Sequence, residues 1–264
     1  MISLYTTAFN LKDFNVDLDD CFANWLYYAD EIVIATLKKD EEDVREKITS
    51  SKFSDSEKIT LVSADLDIPE DVYWDGKLKN TSLQSCRYNV AIQVDLDERL
   101  SGDKKGYIQI AKEINKHDFP CSVMLPTINL YGDLDHFADV GYKWYMHTRE
   151  HTFRGPVNFA LKNDGNFDPE KSDTCELIDE KGNLIPCIGK IAFTDNDPKV
   201  IHLGFLDIQR RANLNKNFWK DIWSERKTLS QKKKVEATNV LTDVSEFDPP
   251  TKLHNLPKPL WPKI

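Results

Sequence analysis

No glycine-rich phosphate loop follows any strand-like run in this sequence. Neither GxGxxG nor GxxxxGK[ST] occurs among its ten glycines. That excludes the dinucleotide and P-loop devices, which wrap backbone amides around a phosphate. There is no CxxC pair either. The five cysteines (Cys21, Cys86, Cys121, Cys175, Cys187) are odd in number and scattered, which argues against a disulfide scaffold and reads as reduced thiols. Cys175 and Cys187 flank an expected hairpin and are close enough in sequence to pair; the simpler reading is two small apolar strand residues. No apolar run approaches the length that spans a bilayer. No leader pattern is visible, since Met1-Ile2-Ser3-Leu4-Tyr5 reads directly as a strand. A cytoplasmic chain without a transmembrane segment is expected. Positive charge is in deficit: 35 Lys and Arg against 44 Asp and Glu give a net charge of −9. A nucleic-acid binder driven by phosphate contacts is therefore excluded.

The charge that is present is uneven. Residues 1–224 hold 27 basic and 39 acidic residues, net −12, and residues 225–264 hold 8 and 5, net +3. An acidic body that takes an anionic phosphate needs a metal ion or a local basic pocket. The last forty residues carry Lys232-Lys233-Lys234 and five prolines, too little apolar material for a core of their own. Leu253, Leu256, Leu260 and Trp261 read as anchors of an extended tail along the domain. The lysine run reads as solvated. Peripheral attachment to an anionic membrane is the weaker alternative, at about 1 kcal/mol per Lys. One domain over 1–224 and a packed tail over 225–264 are expected.

Ile2 to Phe9 reads as a first strand. Asp19 or Asp20 caps a helix that turns Phe22 and Trp25 inward. Glu31 to Thr36 is a second strand, continuous in apolar residues as in a buried parallel sheet. An acidic helix opens at 40–46. Lys58 to Ser63 is a third strand, ending at Asp65 and Asp67, and a helix through Leu83 leads into Val90-Ala91-Ile92-Gln93-Val94. This β-α-β-α-β-α-β alternation implies an α/β fold with a mostly parallel central sheet flanked by helices. Beyond it, Gly102 to Lys116 is an amphipathic helix with Tyr107, Ala111 and Ile114 inward. Cys121 to Leu125 is a strand. Asn129 to Gly155, dense in aromatic, His and charged residues, reads as site-building loops. Cys175 to Cys187 reads as a hairpin, Val200 to Phe205 as a short strand carrying His202, and Asp207 to Ser224 as a helix.

The fourth strand runs into Asp95-Leu96-Asp97. Alternation along a strand puts both carboxylates on one face and Leu96 toward the core. Two carboxylates at a strand end suit a hard divalent cation and the phosphates it carries, and ligands of open α/β sheets collect outside the carboxyl ends of strands. The bland reading is a helix cap facing water.

The order of strands, the Asp95-Leu96-Asp97 motif at the end of the fourth, and the later His-Leu-Gly-Phe-Leu-Asp-Ile-Gln-Arg-Arg stretch from His202 to Arg211 together resemble the GT-A-fold glycosyltransferases, and among them the family-2-like enzymes. The resemblance spans about residues 1–224. It implies a metal-dependent transfer of sugar from a UDP- or GDP-linked nucleotide-sugar donor to a glycan or other hydroxyl acceptor. Thr7, Ala8, Phe9, Thr36 and Asp65 hold the places that surround the nucleoside in that family. Lys77 and Asn80 match a recurring Lys and Asn before the Asp-x-Asp strand. Asp95 and Asp97 would hold Mn²⁺ or Mg²⁺ against the diphosphate, and His202 matches a late His of the metal site. Two departures stand out: the second strand ends Ala35-Thr36-Leu37-Lys38 rather than Asp-Asp-Gly-Ser, and no Glu-Asp pair precedes the later helix.

The chemistry needs a neutralised leaving diphosphate and, for inversion, a carboxylate within reach of the acceptor hydroxyl. Asp173 is the first candidate for that base, followed by Glu150 and Asp135. Arg154 and Arg210 are candidate phosphate contacts; their bland readings are a turn and a surface ion pair. Trp144 and Tyr145 read as core or as an acceptor platform. Two alternatives remain open at this point: a sugar-phosphate nucleotidyltransferase, and a non-catalytic carbohydrate-binding protein on the same fold.

Overall fold

Strands β1 (Ile2–Thr7) and β2 (Glu31–Leu37) are buried over their whole length. A strand covered on both faces sends alternate side chains into two separate cores. Ile2, Leu4, Ile32, Ile34 and Ile92 face one core, and Tyr5, Val33 and Ala91 face the other. The computed structural model, which describes residues 1–11, 16–66, 74–130, 134, 136–155, 176–204, 206 and 254–255, builds a mixed α/β protein on this division.

The remaining strands of the main sheet are β3 (Ile59–Ala64), β4 (Val90–Gln93), β5 (Glu98–Ser101), β6 (Ser122–Leu130), β7 (His136–Thr148), β10 (Cys187–Lys190), β11 (Lys199–His202) and β12 (His254–Asn255). Their order is β3-β2-β1-β4-β7-β6-β11-β5, with β10 beside β6 and β12 beside β7. The first four are parallel, as the alternation of elements predicts. The second half mixes directions: β7 runs antiparallel to β4 and β6, β11 parallel to β6, and β5 antiparallel to β11. A separate two-stranded sheet joins β8 (Phe153–Gly155) to β9 (Glu176–Ile178).

Helix α1 (Leu18–Tyr28) buries Phe22 and Trp25, as its spacing predicts. Its cap is Asp17, whose side chain accepts the amides of Asp19 and Asp20, so the cap lies two residues before Asp19, the nearer of the two expected. Helix α2 (Glu41–Thr49) buries only Val44. Helix α3 (Trp74–Gln84) packs against β1, β2 and β8. Helix α4 (Lys104–Ile114) turns Tyr107, Ala111 and Ile114 inward. α1 and α4 close the larger core, and α3 lies on the opposite face. Gly102 makes the turn before α4 at φ +100°, where a Cβ would stand 2.3 Å from the Asp197 carbonyl oxygen.

Two expectations are corrected. Asn129 to Gly155 is not a set of loops: β6 extends to Leu130 and β7 returns beside it over thirteen residues. Polar and aromatic residues alternating along β7 read as loop composition, yet strands favour aromatic and β-branched residues. The Cys175 to Cys187 hairpin has its turn, where the Asp179 amide meets the Asn183 carbonyl at 2.8 Å. Its arms then part, β9 pairing with β8 and β10 with β6. Cys187 is a free, exposed thiol; Cys175 lies outside the described residues. So do the expected helix at 207–224 and the tail, apart from the His254–Asn255 strand beside β7. Among the described residues no helix is long and apolar enough to cross a membrane.

Candidate functional site

The carboxyl ends of β1 to β4 share one edge of the sheet, and the acidic pair leaves from it. β4 stops at Gln93. Asp95 to Glu98 then form a turn, closed by the Glu98 amide on the Asp95 carbonyl at 2.9 Å, which delivers the chain into β5. Asp95 and Asp97 therefore sit on a turn, not two steps apart on a strand face. Leu96 packs at the rim of the larger core.

α1 fixes this turn from below. Arg99, 4 % exposed, donates to the Leu96 carbonyl at 3.0 Å and the Glu98 carbonyl at 2.8 Å, and pairs with Asp20 at 2.7 Å. Trp25 Nε1 donates to the Glu98 carbonyl at 3.2 Å. Asn24 exchanges two bonds with the Leu100 backbone, at 2.9 and 2.8 Å. A loop pinned at so many backbone groups presents its side chains with little freedom.

The two carboxylates go different ways. Asp97 Oδ2 lies 3.2 Å from His202 Nε2 at the end of β11, and His202 Nδ1 lies 2.9 Å from Asn129 Oδ1 at the end of β6. The pair joins residues 105 positions apart. Gly204 presses on it: a Cβ there would stand 2.6 Å from His202 Nε2 and 2.9 Å from Asp97 Oδ2. Asp95 turns instead to Lys79 of α3, with Nζ at 3.6 Å, and accepts from Gln93 Nε2 at 3.1 Å. Lys79 also meets Asp75 at 3.2 Å.

The donor set of Asp97 and His202 fits a divalent ion. Carboxylate oxygen and imidazole nitrogen bind such ions at about 2.1 Å, so two adjacent ligands lie about 3 Å apart. A neutral imidazole has one N–H. With Nε2 protonated, His202 donates to Asp97 Oδ2 directly; with Nδ1 protonated toward Asn129 Oδ1, Nε2 would offer its lone pair to a cation shared with that carboxylate. Among the described residues no three His, Cys, Asp or Glu side chains converge into one metal-holding group.

The other sequence candidates divide. Thr7 and Phe9 lie at the end of β1, buried and half-buried, and Asp65 is exposed just past β3. Thr36 is fully buried, its hydroxyl 3.5 Å from the Leu37 carbonyl. Asn80 accepts the Arg154 amide at 3.3 Å. Lys77 is exposed, while Lys79, two residues on and thus on another helix face, is the lysine beside Asp95. Arg154 is not a solvent-facing phosphate contact: it is 6 % exposed, with Nε on the Tyr5 hydroxyl at 3.0 Å. Glu150 is not brought to the site. Its amide bonds Asn89 at 3.3 Å, before β4 begins, and Thr148 pairs with Val90. Asp95 lies five residues further along, about 16 Å away at strand rise. Tyr145 is half-buried. Asp135, Asp173 and Arg210 lie outside the described residues. Lys79, Asn129 and Gly204 were missed; only Gly204, two residues after His202, carried a local signal.

No protein-family model matches this chain, and neither does any curated sequence. Solved structures do. The chain is similar to residues 1–349 of TarS from S. aureus at 11 % identity and a TM-score of 0.37, over 91 % of this chain and 69 % of that one. It is similar to HddC from Yersinia pseudotuberculosis at 13 % identity and 0.41, over 78 % and 95 %. TarS 1–349 in complex with UDP-GlcNAc matches at 13 % identity and 0.34, over 91 % and 72 %. A longer TarS structure is matched over 42 % of its length.

Proposed function

We propose that the protein is a glycosyltransferase of GT-A type, moving a sugar from a UDP- or GDP-linked donor to a hydroxyl acceptor. The observation that carries this is the Asp97–His202 pair at 3.2 Å, set at the end of β11 on the turn that follows the parallel strands. Ligand sites of open α/β sheets lie outside such strand ends. Asp97 and His202 would hold Mn²⁺ or Mg²⁺, which when bound supplies Lewis-acid neutralisation of the leaving diphosphate. Two protein ligands leave room for phosphate oxygens and water.

The chain's own residues do the rest. Lys79, held between Asp75 and Asp95, places an ammonium at the same edge. Thr7, Phe9 and Asp65, at the ends of β1 and β3, border the place for the nucleoside. Asp173 and Asp135 are proposed as the carboxylate that accepts the acceptor hydroxyl's proton, and Arg210 as a diphosphate contact. The single domain over 1–224 with its tail over 225–264 is proposed likewise.

The test is a thermal-shift titration with UDP, GDP, CMP and ADP, each with and without Mn²⁺. A ligand at a hundredfold its Kd adds about 2.7 kcal/mol of stability. The expected result is a shift with one nucleoside diphosphate that needs Mn²⁺ and is lost in Asp97→Asn and in His202→Ala. No shift with any of them would reject the reading in favour of a carbohydrate-binding protein.

A further inference from the structure

Gln93 is the last residue of β4 and is fully buried, as are Tyr5 and His147 on the neighbouring strands. A polar amide at that depth needs partners for both its oxygen and its nitrogen. It has them, and they set its direction. His147 Nδ1 lies 2.7 Å from the Thr148 carbonyl, an obligate acceptor, so Nδ1 carries the ring proton. His147 Nε2 then accepts from the Tyr5 hydroxyl at 2.9 Å. The Tyr5 oxygen accepts the Arg154 Nε proton at 3.0 Å, and a terminal nitrogen of Arg154 donates to Gln93 Oε1. Arginine cannot accept a hydrogen bond, so the Gln93 amide cannot flip. Its NH₂ group is left pointing at Asp95 Oδ1, 3.1 Å away.

We propose that Gln93 is a positioning residue for Asp95, held in one orientation by Arg154. It keeps the Asp95 carboxylate turned to Lys79, so that of the acidic pair Asp97 alone faces His202. The role of this arrangement in ligand binding rests on the nucleotide-sugar reading above; the orientation itself does not. Gln93 ends an otherwise apolar strand. An apolar residue would satisfy the packing there, but it would remove one acceptor from Arg154 and one donor from Asp95. The network thus links the buried face of β1, β4 and β7 to the ligand edge through one amide.

Two measurements decide it. In ligand-free protein, the Gln93 side-chain NH₂ signals in a ¹H–¹⁵N spectrum are identified by their loss in Gln93→Met. They are expected to shift in Asp95→Ala; unshifted signals would overturn the proposal. The second measurement uses the paired variant Gln93→Met/Arg154→Met. It removes the Gln93–Arg154 hydrogen bond from both ends, and because Arg154 also donates to Tyr5, only part of the stability lost in Gln93→Met is regained. A purely structural role predicts that this variant keeps its nucleotide response. Positioning predicts at least a tenfold higher nucleoside diphosphate concentration, in the presence of Mn²⁺, for half the thermal shift. A wild-type response in the paired variant overturns the proposal. If the wild-type protein responds to no nucleotide, the nucleotide-sugar reading fails, and the NMR shift alone decides for or against the Gln93 orientation.

Discussion

Gly204→Ala should disable the candidate site with only a modest loss of stability. The added Cβ would stand 2.6 Å from His202 Nε2, 2.8 Å from Cε1 and 2.9 Å from Asp97 Oδ2, where real Cβ contacts do not come under 3.0 Å. The ring must therefore retreat by at least about 0.4 Å, against a tolerance of about 0.5 Å for a working constellation. Ordinary van der Waals contact begins at 3.4 Å, so the relaxed displacement exceeds that tolerance. The ring's freedom is limited, because Nδ1 is bonded to Asn129 and the Leu203 amide is tied to the Asp97 carbonyl at 2.7 Å. Overpacking of this kind costs about 1–3 kcal/mol, a fall in Tm of roughly 3–10 °C for a domain of this size. Gly189→Ala is the control, since nothing lies within 4 Å of its Cβ position. The assay is the Mn²⁺-dependent nucleotide thermal shift in all three proteins. Gly204→Ala should lose the shift and Gly189→Ala should keep it. A Gly204→Ala protein that responds like wild type would refute the placement of the cation between Asp97 and His202.

Other perturbations test the scaffold. Burial lowers the His147 pKa from 6.5 to about 3, so the unfolded chain takes up the proton first as pH falls. Stability should be full above about pH 6.5 and fall toward pH 3, by about 2 kcal/mol at pH 5; unfolding midpoints across pH 7 to 5 should show this slope, and it should flatten in His147→Gln. Arg99→Met removes the donors to Leu96 and Glu98 and should cost about 2 kcal/mol, with the nucleotide shift weakened; unchanged denaturation would show that the turn holds itself. Deleting residues 225–264 strips β12 from β7 and should lower the melting temperature, whereas an unchanged melt would make the pairing energetically idle.

What the sequence alone determined is the part governed by local periodicity. The continuous apolar runs at Ile32 to Ala35 and Val90 to Ile92 announced buried parallel strands, because only a strand covered on both faces tolerates them. The inward faces of α1 and α4 followed from helical spacing. Asp95, Asp97 and His202 stood out by residue type at strand ends. Tertiary structure decided how these were used. The Asp95 to Glu98 turn exists because β5 must reverse to pair with β11, a contact between residues about a hundred positions apart. β7 was hidden because its mixed polar and aromatic composition does not announce a strand, and its backbone pairing with β4 and β6 decides it. Lys79 rather than Lys77 meets Asp95 through the packing of α3, and Glu150 is carried to the far end of β4 by the β4–β7 register. Gln93 and Arg154 are ordinary surface residue types in sequence. Their meaning comes from where folding buries them, since a polar group removed from water has to find partners wherever the fold places them.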